Sequence, residues 1–139
     1  MKLQRARGTR DLMPEDAILL RQAVDVLAKN FALFGFNPIQ TPIIERSDVL
    51  ASKYTGGAEI LKEMFTLKDQ GKRDLALRYD LTVPFSRFIA MNPQVKLPFK
   101  RFQIGRVFRD GPIKASRYRE FSQCDCDVVG TKSIAADAE

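Results

Sequence analysis

The chain has no histidine, only two cysteines, and no apolar run long enough to span a bilayer. Each shortage narrows the reading. Two thiols without imidazoles supply too few donors for a metal centre, so no protein-held metal is expected. Cys124 and Cys126 stand two apart, on one face of an expected strand. That separation does not suit a mutual disulfide, and no third cysteine is present to pair with either. They are expected to be buried free thiols in a reducing compartment, which places the chain in the cytoplasm. No secretory signal pattern, internal repeat or low-complexity tract is visible.

What is present fits one soluble domain. The 139 residues are 45% hydrophobic and 29% charged, enough for a single core. Lys and Arg number 23 against 17 Asp and Glu, a balance of +6. Such a surplus suits a polyanionic partner, nucleic acid or nucleotide phosphate, and equally suits a merely solubilising surface.

The densest information lies between Arg106 and Gly130, RVFRDGPIKASRYREFSQCDCDVVG. It reads as strand, basic loop, strand. Arg101 to Arg109 is rich in aromatic and β-branched residues, Asp110-Gly111-Pro112 breaks the pattern, and a strand resumes from Tyr118 to Val129. Side chains alternate along a strand, so Phe121, Gln123, Asp125 and Asp127 share a face. An aromatic ring, an amide and two carboxylates make a poor core and a good binding floor. Arg109, Arg117 and Arg119 frame the loop with forks suited to phosphate or carboxylate.

Upstream, Arg5, Arg7 and Arg10 form a basic arm. Pro14, followed by Glu15 and Asp16, predicts a helix start, and Gly35 predicts its end. Ala17, Leu20, Val24, Leu27, Ala28 and Phe31 recur at helical spacing and predict one buried stripe. Phe36 to Glu45 reads as extended, and Pro38 and Pro42 confine it to an edge or a subunit interface. Ser47 or Asp48 can cap a short helix, and Tyr54 to Glu59 reads as a loop. Met64–Leu67 and Leu75–Tyr79 read as a hairpin, followed by a helix that Thr82 can cap. The ensemble predicts the α+β class, a long helix and then an antiparallel sheet with an inserted helix.

Four stretches, in order, resemble one family. RGTRDLMPED is similar to its opening, GFNPIQTPIIE to its motif 1, LALRYDLTVPFSRFIA to its amino-acid-binding segment, and VFRDGPIKASRYREFSQCDCDVVG to its motif 2. These resemble the N-terminal part of the catalytic domain of a class II aminoacyl-tRNA synthetase, specifically the histidyl-tRNA synthetases. The resemblance implies a class II antiparallel sheet flanked by helices. It implies activation of histidine by ATP, accompanied by Mg2+, and transfer to the tRNA acceptor end, in a homodimer. Asp80 and Thr82 match contacts to the histidine α-amino group, Gln123 another contact to the amino acid, and Asp127 the partner of the substrate imidazole. Arg109 matches the arginine that binds the α-phosphate and the substrate carboxylate. Arg117 and Arg119 match arginines near ATP, Phe121 the ring that stacks on adenine, and Pro42 the dimer-interface proline.

The usual motif 2 glutamate is replaced by Gly111, with Asp110 as the candidate substitute at ATP. Motif 3 and an anticodon-binding domain are not found within residues 1–139, so the chain is expected to be part of such a catalytic domain, with little activity alone. Two rival readings stay open: a non-catalytic regulatory subunit of ATP phosphoribosyltransferase, which resembles these synthetases, and a basic RNA-binding module. The chemistry suits the synthetase reading on its own terms. An α-amino cation wants carboxylate and hydroxyl acceptors, and adenylate formation needs positioning and charge neutralisation rather than a protein nucleophile.

Overall fold

Proline and glycine bracket the longest helix, as expected. The computed structural model of the chain describes residues 2–52 and 59–138. Helix α1 spans Pro14–Leu33, with proline at its first turn and Glu15 and Asp16 beside the positive end of its dipole. It ends in a Schellman motif. Gly35 takes φ +78°, its N–H donates to the Ala32 carbonyl, and the Phe36 N–H donates to the Phe31 carbonyl, both at 3.0 Å. The Phe31 and Phe36 rings close the motif edge to face, centroids 6.0 Å apart.

The predicted buried stripe of α1 is corrected. No residue of the helix is buried, and Leu20 and Leu27 are exposed. Only Val24, Ala28 and Phe31 of the stripe are half-buried. The helix meets the sheet near its C-terminal end, where Phe31 stacks on Phe102 at 5.2 Å.

Two three-stranded sheets follow. The first has the order β1-β5-β6, from β1 (Asn37–Pro38), β5 (Phe99–Phe108) and β6 (Glu120–Val129). β1 runs parallel to β5 at the edge, where a proline is tolerated, and β5 and β6 are antiparallel over their whole length. The second sheet is antiparallel in the order β2-β4-β3, from β2 (Ile44–Arg46), β4 (Asp74–Leu77) and β3 (Thr66–Lys68). The Tyr54–Glu59 loop falls, except for Glu59, outside the described residues.

Helix α2 (Ser47–Ala51), a 3-10 turn (Glu59–Glu63), α3 (Thr82–Met91) and α4 (Ala135–Ala138) complete the chain. A core of Leu50, Ala76, Tyr79 and Val83 ties α2, β4 and α3 together. Within it the Tyr79 hydroxyl donates to the Leu50 carbonyl at 2.8 Å, so the ring is buried without an orphaned polar tip.

Three further expectations change. The N-cap of α3 is Leu81, without a side-chain cap bond, and Thr82 is the first helical residue; the residue before the cap, Asp80, accepts the Val83 N–H through Oδ1 at 3.1 Å. At α2 the N-cap is Arg46, with no side-chain cap bond; Asp48 Oδ1 accepts the Val49 N–H at 2.9 Å. Cys124 and Cys126 are exposed, not buried. They lie on the even-numbered face of β6, and α1 reaches that side of the sheet only around Phe102.

Candidate functional site

The register of β5 and β6 decides which side chains meet. Val107 lies opposite Phe121, Gly105 opposite Gln123, Gln103 opposite Asp125 and Arg101 opposite Asp127. Directly opposed residues of an antiparallel pair point the same way, so these eight share one face. Arg109 continues the odd-numbered series, and its N–H donates to the Arg119 carbonyl at 2.9 Å. The face expected from β6 alone thus includes the motif 2 arginine.

The Arg109 guanidinium is fixed from two sides. Its Nε donates to the Tyr79 carbonyl at 3.0 Å, and its Cζ stands 5.1 Å from the centroid of the Phe121 ring. Because the anchoring carbonyl belongs to the residue before Asp80, the segment that presents Asp80 also aims Arg109. A cavity of about 170 Å³ opens here, lined by Arg109, Ser116, Arg117, Tyr118 and Phe121.

The polar floor is incompletely satisfied. Five buried side-chain atoms among the described residues have no hydrogen-bond partner: Arg101 Nε, Nη1 and Nη2, Gln123 Oε1 and Asp127 Oδ2. All lie on this face. Arg101 is fully buried, forms an ion pair with Asp127 and stacks its guanidinium 4.4 Å from the centre of the Phe85 ring. The Arg101–Asp127 charges touch without hydrogen-bond alignment. Burial pushes the Asp125 carboxyl above its ordinary range; the nearby charges of Asp127 and Asp80 push the same way, and Arg101 and Arg109 oppose them.

Gly105 leaves room beneath the same face. The Arg78 guanidinium occupies it, with Nε donating to the Arg106 carbonyl and Nη1 to the Thr41 carbonyl, each at 2.8 Å. Gln103, its amide oxygen turned to the donors, accepts from Arg78 Nη1 at 3.2 Å and from the Thr41 amide at 3.1 Å. The Phe108 N–H donates to the Arg78 carbonyl at 3.0 Å, which docks the Arg78–Asp80 segment beside β5.

The loop arginines already have protein partners. Arg117 Nη2 donates to both carboxylate oxygens of Glu63, at 2.9 and 3.1 Å. Arg119 Nη2 pairs with Asp110 at 2.9 Å. The Glu63 carbonyl also accepts the Asp110 N–H at 2.7 Å, so this one residue pins both ends of the loop. In the basic arm, Arg10 lies over the Tyr118 ring at 4.5 Å.

Arg109, Phe121, Gln123 and Asp127 are therefore together, and the charge of Asp80 reaches Asp125 in the same cluster. Two candidates lie apart. Thr82 lines a cavity of about 610 Å³ with Asp48, Val49, Ser86 and Arg87, between α2 and α3. Pro42 is exposed, next to the exposed Ile43 and Ile44. Arg101, Glu63 and Arg78 were not anticipated. Arg101 was findable, because it has the parity of Arg109 on one strand; Glu63 carries no local signal of its long-range role.

Comparison with known proteins places this geometry. The family model described as "Histidyl-tRNA synthetase" matches residues 8–139. "Histidine--tRNA ligase 2" of Shouchella clausii (strain KSM-K16) is 57% identical over 136 residues, 98% of this chain and 32% of that protein. The structure of histidyl-tRNA synthetase from Nostoc sp. PCC 7120 superposes with TM-score 0.84 at 32% identity, covering 99% of this chain and 31% of that one. A structure titled as an ATP phosphoribosyltransferase regulatory subunit/histidyl-tRNA synthetase, from Bacillus halodurans C, gives TM-score 0.84 at 25% identity, covering 96% and 34%. The fold is that of a class II aminoacyl-tRNA synthetase-like domain. The chain belongs to the histidyl-tRNA synthetase family, and it spans about a third of the length of the curated relatives it matches.

Proposed function

We propose that this chain forms the amino-acid and nucleotide floor of a histidine–tRNA ligase. The observation that carries the reading is one strand face that presents Phe121, Gln123 and Asp127 in register, with the Arg109 guanidinium over Phe121 at one end and the Gln123 amide oxygen without a hydrogen-bond partner. A buried polar atom is ordinarily paired, so an unpaired amide oxygen on such a face suits a ligand that supplies a donor.

In this reading histidine lies along β6. Asp80 faces its α-amino cation, Gln123 offers its amide oxygen, and Asp127 accepts an imidazole N–H; Thr82, which lines the separate cavity between α2 and α3, is left out of the contact set. ATP enters by the small cavity, its adenine on Phe121 and its α-phosphate at Arg109. A carboxylate oxygen of histidine attacks the α-phosphorus, the bond to the bridging oxygen breaks, and pyrophosphate leaves with its electron pair. Arg109 cannot lose its proton and can hold oxygens of both reactants, so it neutralises the charge that builds between them. A hydroxyl of the terminal ribose of tRNA then attacks the histidyl carbonyl carbon, the bond to the phosphate oxygen breaks, AMP leaves with its electron pair, and the hydroxyl proton is released. Phosphates approaching Arg117 and Arg119 compete with Glu63 and Asp110 for the same guanidinium groups.

Among the described residues no three Asp, Glu, Cys or His side chains converge to hold a metal. The reading assigns magnesium to the nucleotide phosphates and routes no step through a protein-held ion. A homodimer with Pro42 at its interface and a cytoplasmic location complete the proposal.

Calorimetry with histidine against other amino acids, with and without ATP, tests the reading. Histidine-selective heat is expected. A folded chain that does not distinguish histidine from leucine would overturn it.

A further inference from the structure

We propose that Arg101 is a positioning residue for side-chain recognition, holding one oxygen of the Asp127 carboxylate from below so that the other is presented to an N–H of the bound amino acid. The inference rests on the functional reading above and names a residue that reading does not use. Its basis is an asymmetry. The Arg101 side chain is 0% exposed, whereas that of Asp127 is 37% exposed. An ion pair built only for stability would gain from sinking both charges with their hydrogen bonds complete; here the cation is sunk and the anion stands at the surface.

Stability does not account for the arrangement. A buried guanidinium is costly to desolvate, and replacing a buried ion pair by apolar residues is commonly neutral or stabilising. Arg101 meets that cost poorly, because Nε and Nη1 find no partner and the Phe85 ring offers only its face. What Arg101 does supply is charge at one point. Asp125 and Asp127 lie two apart on β6, and the charge of Asp80 bears on the same cluster. Three carboxylates on one floor repel, and a cation placed at one of them fixes where it stands. Arg109 has its Nε on the Tyr79 carbonyl and its guanidinium over Phe121 at the other end of the face. Arg101, directly opposite Asp127 and ion-paired with it, is therefore the cation that sets the orientation of this carboxylate.

The test uses the 139-residue chain and histidine as the probe. Arg101→Met should weaken histidine binding by about 10- to 100-fold, the range for losing a bond to a charged group, with ATP binding unchanged. Arg101→Lys should restore part of the affinity, because a second cation opposite Asp127 replaces the first; a merely structural arginine would not give selective recovery of histidine binding over leucine binding.

The double variant Arg101→Met/Asp127→Leu controls for folding. It should keep a urea midpoint near that of the unsubstituted chain and lose selectivity for histidine over leucine. Equal histidine affinity in Arg101→Met and the unsubstituted chain overturns the inference alone. Loss of the fold in both Arg101→Met and the double variant also overturns it, because Arg101 would then be structural. Absence of histidine selectivity in the unsubstituted chain overturns the functional reading, and this inference with it.

Discussion

Gly105→Ala adds one methyl group to the middle of β5, and the structure says where it goes. A Cβ at this position would stand 2.5 Å from Arg78 Nη2, 3.5 Å from its Cζ and 3.7 Å from Leu81 Cδ2. The first separation is not tolerated, so the guanidinium must move. It is poorly able to, being 4% exposed and bonded to the Arg106 carbonyl, the Thr41 carbonyl and the Thr41 hydroxyl. Gly105 has no positive φ, so alanine itself fits the strand and should gain about 0.4–1 kcal/mol through the unfolded chain. Against this stand about 1–3 kcal/mol of overpacking and about 1.5–3 kcal/mol for a bond lost from a buried guanidinium. The net expectation is about 1.5–5.5 kcal/mol of destabilisation by urea denaturation, a large share of a domain's 5–15 kcal/mol or so. Histidine binding should weaken too, because Arg78 leads directly into Asp80. A double-mutant cycle with Arg78→Met assigns the cause: the alanine should cost less once the guanidinium is gone, with a coupling above about 1 kcal/mol. An unchanged or raised midpoint in Gly105→Ala would refute the packing argument.

Two other perturbations separate helix contact from ligand contact and charge from burial. Asp80→Asn keeps an oxygen for the Val83 N–H, so stability should change by less than about 1 kcal/mol while histidine affinity falls at least about 10-fold. Lost stability with retained affinity would leave Asp80 as a partner of the Val83 N–H only. Asp125, raised by burial, holds its proton in the folded chain to higher pH than in the unfolded chain. Its contribution to stability is therefore fully present below the ordinary value of about 3.9 and lost as pH rises through the raised value. The midpoint of the unsubstituted chain should fall relative to Asp125→Asn across that window and run parallel above it.

Much of the fold was legible because local chemistry and tertiary structure agree. Pro14 and Gly35 mark the ends of α1, and the proline-bearing segment is an edge. Alternation along β6 placed Phe121, Gln123, Asp125 and Asp127 on one face, and the register supports it. The errors share a cause. The stripe of α1 and the burial of Cys124 and Cys126 were read from side-chain character, which says that a surface suits burial and not whether this chain covers it. Thr82 suits a helix start and yet lies one residue inside α3, because Asp80, the residue before the cap, takes the Val83 N–H instead. Long-range partners were invisible: Glu63 meets Arg117 across 54 residues, and Arg78 reaches Thr41 across 37.

The arrangement of these partners is not that of a faulty core. A faulty core would scatter its unsatisfied atoms, since no selection would align them. Here polar groups that carry no ligand expectation are satisfied, as when Arg78 finds Thr41, Gln103 and the Arg106 carbonyl, and Tyr79 finds Leu50. The unsatisfied atoms belong to Arg101, Gln123 and Asp127, on two facing strands. Two of those three residues were assigned to the amino acid from the residues they resemble; the third lies opposite one of them across the β5–β6 pair. Among the described residues, the buried side-chain atoms without a hydrogen-bond partner are thus confined to one face of the β5–β6 pair, where Arg101 and Asp127 oppose each other as an ion pair and Gln123 lies four residues along β6.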